Sequence, residues 1–553
     1  MRISKIAGLC LVGACLAVVL VLHAAPAEAL KGCFCSKRFK ADRICGEVPR
    51  LDDDEIGVQP PNMGYRILKR NEYVECTAEE VEPIQPPRCL PGQVLQGGAC
   101  MALPQAPKEE EPAPSDREFG IAGSNTIGEK LMPTLIKAFG RSQGFATEGE
   151  ACAGTTLSLR KGSWTLSIAC SARGSHTGIP ALAAGEADIA MLSRPIDADE
   201  RDMMRRAGYP NMESARYETV LALDGLLIIV ARQNRVRALS VDQIARVFAG
   251  EITDWGQLGG QPGRIRLYVR DENSGTRDTF EAMVMQPHGK RVSDLAARFQ
   301  SSSELSDSVA ADPLGIGFVG FAYQRAARTL PIAQACGLVH TPSVLAIKAE
   351  DYPLSRRLFL YTGRQHSVYS GQLLDYALSA DAQAVIERAG YVDQTISSWS
   401  AEETRSRVAV YVAAPLHEPG LERDGRRLND LRAAAERAER LSISFRFRSN
   451  STRLDTKAWQ DVLRLADYMK TAARNQKVLL LGFTDSNGSF AANLALSQAR
   501  ADEVRTSLLS SGAGLSPDLI GASGYSELMP IACNADEAGR AKNRRVEVWL
   551  IPR

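Results

Sequence analysis

Residues 117–400 alternate short apolar segments with segments of helical periodicity, and this pattern restricts the possible folds more than any other feature. Apolar segments of strand length occur at 188–192, 225–231, 264–269 and 315–321, and residues 240–249 have the pattern of a helix. Such alternation is typical of an α/β domain with mainly parallel sheets. We therefore expect the central part of the chain to be an α/β domain.

Four loops of this region place small hydroxyl residues and glycine where helices are expected to begin. They are residues 123–126, 174–178, 193–196 and 273–277. A helix N-terminus presents unpaired N–H groups and the positive end of the helix dipole, so several converging N-termini form an anion site. Each loop alone is more often a simple helix cap than an anion loop. The four together predict an anion-binding cleft.

The order of these loops resembles the phosphate-binding-protein (PstS-like) family of type II periplasmic binding proteins. Further matching stretches are residues 185–190, 248–255, 315–319 and 352–357. The resemblance implies a two-lobed domain over residues 117–400 that closes on phosphate or a similar oxyanion. The site residues that it implies are Ser124, Thr126, Ile127, Ser175, Arg194, Arg270, Ser274, Gly275 and Thr276.

Arg194 departs from the best-known members of that family, which carry Asp at this position. An Asp accepts the remaining proton of hydrogen phosphate and repels sulfate, whereas Arg favours any dense oxyanion. Phosphate is therefore the leading ligand, and another oxyanion or a vestigial site remains an alternative.

A second functional pattern lies near the C-terminus. Residues 477–483 form an apolar segment of strand length that ends in a Thr-Asp-Ser-Asn-Gly turn, and residues 493–508 have helical periodicity. This arrangement allows Asp485 and Arg500 to face one pocket. An acid and a guanidinium in one pocket suit a zwitterion. A surface ion pair of little energetic value is the alternative.

The ordered residues of this region resemble the peptidoglycan-binding domain of the OmpA/Pal/MotB family. The resemblance implies an α+β domain over residues 441–553 that binds the diaminopimelate of the peptidoglycan stem peptide. The residues it implies are Asp485, Asn493, Arg500, Asn543 and Arg544. Phe483 stands where many members carry His, a change that we expect to alter packing more than ligand choice.

The N-terminus has the pattern of a secretion signal. Arg2 and Lys5 precede an apolar stretch at 6–22, and Ala-Glu-Ala at 27–29 is a small-x-small cleavage site. We expect cleavage after Ala29 and a periplasmic, peptidoglycan-associated protein near the outer membrane. Lipidation at Cys15 is the alternative. No later segment reaches the roughly 18–20 apolar residues of a membrane helix.

Cysteine usage separates a small N-terminal module from the rest of the chain. Six of the twelve cysteines lie between residues 33 and 100, so residues 30–103 are expected to be a disulfide-rich module with any of fifteen pairings. A metal site at Cys33, Cys35 and Cys45 is disfavoured because no His lies nearby. Bridges between Cys152 and Cys170, and between Cys336 and Cys533, are candidates; the second would hold the binding domain on the anchor.

Two segments are expected to be linkers. Residues 104–116 are rich in Pro and Glu, which is typical of a stiff linker that packs poorly. Residues 401–440 are expected to form a linker and a helix, with a strand-like stretch at 408–413 and a helical pattern at 428–441.

Charge and motif content exclude other classes of function. The formal net charge is +1, from 66 basic and 65 acidic residues, which gives no global electrostatic basis for nucleic-acid binding. Ser175 beside His176 is the one tempting catalytic pair, and adjacent loop residues rarely face each other. We expect no enzyme activity, no cofactor and no metal. An ABC permease or another envelope protein is a candidate partner, and a structural or sensory envelope protein is the alternative function.

Overall fold

The computed structural model describes residues 118–148, 152–272, 274–363, 367–413 and 424–552, and the backbone of seven short strands between residues 30 and 102. The predicted signal peptide (1–29) with Cys15, the disulfide pairings of the N-terminal module and the predicted linker (104–116) lie outside the described residues. Among the helices that the structure describes, none combines the length and apolar character of a membrane span.

The seven short strands form small antiparallel pairs in a unit of their own and in the segment that follows it. They are β1 (Leu30–Ser36), β2 (Arg43–Val48), β3 (Glu55–Val58), β4 (Arg66–Lys69), β5 (Tyr73–Glu75), β6 (Gln93–Gln96) and β7 (Ala99–Ala102). β1 pairs with β2 and β5, β3 pairs with β4, and β6 pairs with β7.

The central domain alternates strands and helices, as the sequence predicts. Its strands are β8 (Glu118–Gly123), β9 (Ala146–Glu148), β10 (Ala153–Lys161), β11 (Trp164–Ala172), β12 (Ile189–Leu192), β13 (Glu218–Val230), β14 (Leu239–Ser240), β15 (Arg266–Arg270), β16 (Ala297–Phe299), β17 (Gly315–Gly320), β18 (Arg328–Thr329), β19 (Ile332–Ala333), β20 (Val339–His340) and β21 (Ser355–Thr362). Its helices are α1 (Met132–Ser142), α2 (Gly178–Ala184), α3 (Ala198–Arg206), α4 (Val241–Phe248), α5 (Gly275–Phe280), α6 (Ser302–Ala311), α7 (Val344–Lys348), α8 (Val368–Leu378) and α9 (Ala380–Arg388).

Two strands join the two lobes of this domain. The first half of β13 pairs with β21, and its second half, from Leu226, pairs with β17. The first lobe contains β8–β12 with α1–α3, α8 and α9, and the second lobe contains β14–β20 with α4–α7. Because β13 and β21 are antiparallel to their neighbours, the continuous sheet is mixed, and the expectation of mainly parallel sheets is wrong.

The C-terminal domain is a four-stranded sheet covered by helices. Its elements are α10 (Ala401–Ala413), α11 (Gly425–Ala435), β22 (Glu439–Arg446), α12 (Thr456–Lys470), β23 (Lys477–Phe483), α13 (Phe490–Leu509), β24 (Ile520–Gly524), α14 (Glu537–Asn543) and β25 (Arg545–Ile551). The strand order is β22-β25-β23-β24. The predicted strand at 477–483 is confirmed, and α13 contains the predicted helix at 493–508.

The strand expected at 408–413 is the second half of helix α10. Ser400 accepts a hydrogen bond from the N–H of Glu403, and the Glu403 carboxylate accepts one from the N–H of Ser400, so the helix starts with reciprocal caps. Val408 and Tyr411, three residues apart, then face the same buried cluster as Leu431 of α11. Periodicity over a few residues could not reveal this cap.

The C-terminal domain contacts both lobes of the central domain. Arg357 of the hinge strand β21 pairs with Asp455 (2.6 Å), and Asp351, which follows α7 of the second lobe, pairs with Arg440 (2.5 Å). A disulfide bond joins Cys336 of the second lobe to Cys533. The Cys152–Cys170 bond is also formed. Both candidate disulfides are therefore confirmed.

A protease site inserted between Ala413 and Asp424 tests the interdomain disulfide. After cleavage, the two fragments are expected to migrate as one band without reductant and as two bands with it, because Cys336 and Cys533 lie on different fragments. A Cys336→Ser variant is the control and is expected to give two bands in both conditions. Two bands from the parent protein without reductant would contradict the fold described here.

Candidate functional site

Two of the predicted anion loops, one from each lobe, meet beside the paired strands β13 and β21 that connect the lobes. Thr126 follows β8 of the first lobe, and Gly275 begins α5 of the second lobe. A Cβ atom on Gly275 would lie 2.4 Å from Thr126 Oγ1 and 2.5 Å from Thr126 N. Real Cβ atoms do not approach backbone so closely, so glycine allows the two loops to touch.

A buried ion pair connects these two strands. Asp224 of β13 is opposite Arg356 of β21, and Asp224 Oδ2 accepts hydrogen bonds from Arg356 Nη2 (2.8 Å) and Nε (3.1 Å). Arg356 Nη2 also donates to Thr126 Oγ1 (3.1 Å). The hinge strand thus positions a guanidinium on the first anion loop.

Two buried donors in this region lack a hydrogen-bond partner among the described residues. They are Arg356 Nη1 and the hydroxyl of Ser124, two residues before Thr126. An unpaired buried polar group costs about 1–3 kcal/mol, so such groups point to a ligand. We name Ser124, Thr126, Ser274, Gly275, Thr276 and Arg356 the anion cradle.

Ser274 of the cradle and the predicted loop residues outside it have local contacts. Ser274 caps α5 by accepting a hydrogen bond from Thr276 N (3.2 Å), and Ile127 is fully buried in the first-lobe core. Ser175 Oγ lies 3.1 Å from Ser193 Oγ and accepts from Ser193 N at 3.1 Å. The second and third loops are therefore joined to each other.

Arg194 forms an ion pair with a residue outside the cradle. Its Nη1 and Nη2 donate to the two carboxylate oxygens of Glu200 at 2.7 and 2.8 Å, and these hydrogen bonds raise the pKa of Arg194. Glu200 is in place because it forms a capping box with Asp197 at the start of α3. The structure thus pairs the Arg194 guanidinium with Glu200, and the expected contact of Arg194 with the anion stays a prediction.

Arg270 borders a cavity of about 280 Å³ between the lobes. Its Nε donates to the carbonyl of Phe299 (3.3 Å), its Nη1 donates to Ser302, and its Nη2 lies 3.8 Å from Glu129. Burial raises the pKa of Glu129. The cavity is lined by Glu129, Lys130, Arg270, Gln300, Ser301, Ser302 and Tyr323.

The C-terminal domain brings Asp485 and Arg500 near each other. Asp485 Oδ2 accepts a hydrogen bond from Arg544 Nη1 (2.7 Å). Arg500 donates from Nε to the carbonyl of Ser451 (3.0 Å) and from Nη2 to that of Arg448 (3.1 Å). Burial, and then the neighbouring Arg544, lowers the pKa of Arg500 to about 10.

This pocket also contains buried donors without partners among the described residues, Arg500 Nη1 and Thr484 Oγ1. Asp485 and Arg500 are not directly bonded, so a ligand with an ammonium and a carboxylate can lie between them. We name Thr484, Asp485, Arg500 and Arg544 the anchor pocket.

Asn493 and Asn543 form hydrogen bonds to the backbone of loops around the anchor pocket. Asn493 Nδ2 donates to the carbonyl of Asp485 (3.2 Å). Asn543 Oδ1 accepts from Ile531 N and Ala532 N at 2.8 and 3.1 Å. Phe483 is fully buried and stacks with Tyr525 at 5.8 Å, which agrees with a role in packing.

Comparison with known families assigns two parts of the chain to protein families. Residues 110–381 match the model of the PBP superfamily domain, and residues 446–544 match that of the OmpA family. The chain carries a PBP superfamily domain and an OmpA family domain. The fold class expected from the sequence is thereby confirmed.

The relatives of the PBP superfamily domain include phosphate-binding proteins. Protein SphX of Synechococcus elongatus is 29% identical over 219 residues, which cover 37% of this chain and 63% of SphX. The phosphate-binding protein PstS of Pseudomonas aeruginosa is 25% identical over 300 residues, 49% of this chain and 90% of PstS.

One relative of the OmpA family domain is a porin. Outer membrane porin F of Pseudomonas fluorescens is 43% identical over 109 residues, 20% of this chain and 32% of the porin. The matches thus span less than two thirds of SphX and about a third of porin F.

Sequence reasoning missed Arg356 and Glu129. Arg356 belongs to the stretch 352–357 that matched the binding-protein family, and the available signal was a charged residue at the start of the buried strand β21. Glu129 lies three residues after Thr126, close to the first anion loop. Within the described residues, no cluster of His, Cys, Asp and Glu is placed to hold a metal ion.

Gly275→Ala tests the contact between the two loops. The added methyl group would overlap Thr126, so we expect a loss of about 1–3 kcal/mol in the free energy of unfolding, measured by urea denaturation. Gly425→Ala is the matched control, because no atom of the described residues lies within 4 Å of its added Cβ. Equal stability of both variants would show that the loops are not in contact.

Proposed function

We propose that this protein is a periplasmic solute-binding protein that binds phosphate or a similar oxyanion and attaches non-covalently to peptidoglycan. The observation that carries the proposal is the pair of buried donors, Ser124 Oγ and Arg356 Nη1, for which the described residues offer no acceptor. A tetrahedral oxyanion supplies acceptors to both. The similarity to phosphate-binding proteins supports the same ligand class, and a binding role requires no catalytic group.

The charge pattern of the cleft suits a protonated oxyanion. Arg356 offers a guanidinium group with one unpaired nitrogen, and charge-assisted bonds of this kind are strong. Glu129 lines the cavity between the lobes, where its carboxylate lies 3.8 Å from Arg270 Nη2. A carboxylate there can accept the proton of hydrogen phosphate, the role that Asp has in the resembled family at the position of Arg194.

Ser124→Ala separates ligand binding from folding. The hydroxyl has no partner among the described residues, so its loss is expected to leave the free energy of unfolding unchanged or slightly higher. Phosphate affinity is expected to fall about tenfold, because one hydrogen bond to a charged acceptor contributes about 1.5 kcal/mol or more. Isothermal titration with phosphate, arsenate and sulfate measures the effect.

Ser142→Ala is the matched control for that experiment. Its hydroxyl donates to the carbonyl of Phe139 at the end of α1 (2.8 Å), so this variant is expected to lose some stability and keep its phosphate affinity. If Ser124→Ala binds phosphate as tightly as the parent protein, the assignment of the cradle is wrong.

The anchor pocket suits the zwitterionic end of diaminopimelate. Asp485 can accept hydrogen bonds from its ammonium group, and Arg500 Nη1 can donate to its carboxylate. Both side chains are held by backbone and side-chain bonds before a ligand arrives. Such preorganisation lowers the entropic cost of binding.

Arg500→Gln tests the anchor. This variant is expected to lose co-sedimentation with purified sacculi, since it removes the charge that faces the carboxylate. Arg505→Gln is the control on the same helix, because Arg505 donates to the carbonyls of Ile520 and Pro517. Co-sedimentation of Arg500→Gln equal to that of the control would rule out this pocket. Asp485→Ala is expected to behave as Arg500→Gln does.

A sensory role, in which the binding domain signals to an envelope protein, is a second candidate beside delivery to an ABC permease. The observation that favours it is the attachment of the C-terminal domain to both lobes, through Arg357–Asp455 on the hinge strand and Cys336–Cys533 on the second lobe. Such attachment limits the free hinge closure that delivery receptors use.

A further inference from the structure

Two adjacent arginines of the hinge strand face the two proposed ligand sites. Successive side chains of a β-strand point to opposite faces. Arg356 faces the anion cradle, where it bonds Asp224 and Thr126. Arg357 points the other way, where its Nη1 lies 2.6 Å from Asp455 and its Nε 2.5 Å from Glu350. One strand therefore contacts both functional regions.

Asp455 ends the loop that forms one wall of the anchor pocket. This loop, residues 447–455, supplies the carbonyls of Arg448 and Ser451 that hold Arg500. Asp455 also caps α12 by accepting a hydrogen bond from Ala458 N (2.7 Å).

The same wall is bonded to the first lobe at two further points. Arg448 pairs with Glu213 (3.0 Å), and Thr456 donates to Glu218 at the start of β13. The first wall of the anchor pocket is thus attached to the first lobe and the hinge strand.

The opposite wall of the pocket is attached to the second lobe. Cys533 forms the disulfide with Cys336, and its N–H donates to Gln334 Oε1 (2.7 Å). The next residue, Asn534, accepts hydrogen bonds from Ser486 N (3.3 Å) and from Asn543 Nδ2 (2.9 Å). The loop that carries Asp485 is therefore linked to the second lobe.

We propose that occupancy of the anion cradle strengthens the binding of peptidoglycan. The loop at 447–455 is bonded to the first lobe through Glu213 and Glu218, and Cys533 is bonded to the second lobe through Cys336, so a change in the arrangement of the lobes would change the distance between Arg500 and Asp485. An anion that bonds Ser124, Arg356 and the α5 loop holds the lobes in the arrangement in which these two side chains are already oriented. The inference rests on the proposed function and adds regulation to it.

Thermodynamic linkage makes the effect reciprocal. If phosphate raises the affinity for a stem peptide by some factor, the stem peptide raises the affinity for phosphate by the same factor. Couplings between protein sites are commonly about 5- to 150-fold. The protein would then hold the cell wall more tightly when the anion is abundant.

The test is isothermal titration of the full mature chain, stripped of bound anion, with a soluble muropeptide that contains diaminopimelate. We expect saturating phosphate to raise the muropeptide affinity about fivefold or more, and saturating muropeptide to raise the phosphate affinity by the same factor. Equal or weaker muropeptide affinity in the presence of phosphate would overturn the proposal.

Asp455→Asn removes the ion pair that links the hinge strand to the loop at 447–455. Asn is as good an N-cap as Asp, so α12 is retained while the ion pair with Arg357 is lost. Each ligand alone is expected to bind this variant with nearly parental affinity, and the coupling factor is expected to fall towards one. If the coupling factor of Asp455→Asn equals that of the parent protein, the claim that the Arg357–Asp455 ion pair transmits the coupling is wrong.

Asp307→Asn is the matched control, since it removes an exposed ion pair with Arg325 in the second lobe, and its coupling is expected to equal that of the parent. The separate titrations distinguish the two proposals. If phosphate alone gives no binding, the proposed function and the coupling both fall. If each ligand binds alone and the factor is one, the coupling alone falls.

Discussion

The buried pair between Asp224 and Arg356 is the interaction on which the two-lobed domain and its cleft depend. It joins β13 and β21, the two strands that connect the lobes, and both side chains are less than a tenth exposed. Loss of either partner would leave an uncompensated buried charge, at a cost of about 3–5 kcal/mol. The same bond holds Arg356 against Thr126, so the element that joins the lobes also shapes the anion cradle.

Buried charge also organises the C-terminal domain and its contact with the lobes. Burial alone would raise the pKa of Glu547, but Arg407, Arg440 and Arg545 lower it well below its usual value. Arg440 continues this network to Asp351 beside the second lobe. Because Asp351 and Arg440 can pair only when the domains are together, this ion pair favours one docked arrangement. The two proposed binding sites thereby share a common structural support.

Local patterns in the sequence predicted much of this structure, and contacts between distant residues explain what they missed. The strand at 477–483 and the helix that carries Arg500 follow from periodicity and turn residues. Arg356 could not be assigned in that way, because its partner Asp224 lies 132 residues earlier in the chain. The pairing of Arg194 with Glu200 could not be foreseen for a related reason, since it depends on the capping box at the start of α3.

Hydrogen–deuterium exchange with and without phosphate tests most directly whether the cleft and the anchor act as one unit. Bound phosphate is expected to slow exchange in the cradle loops, residues 123–128 and 274–277, and also in the loop at 447–455 beside Arg500. Protection of all three segments would agree with a shared hinge strand that contacts both sites. Protection confined to the cradle loops, with unchanged exchange at 447–455, would contradict the account.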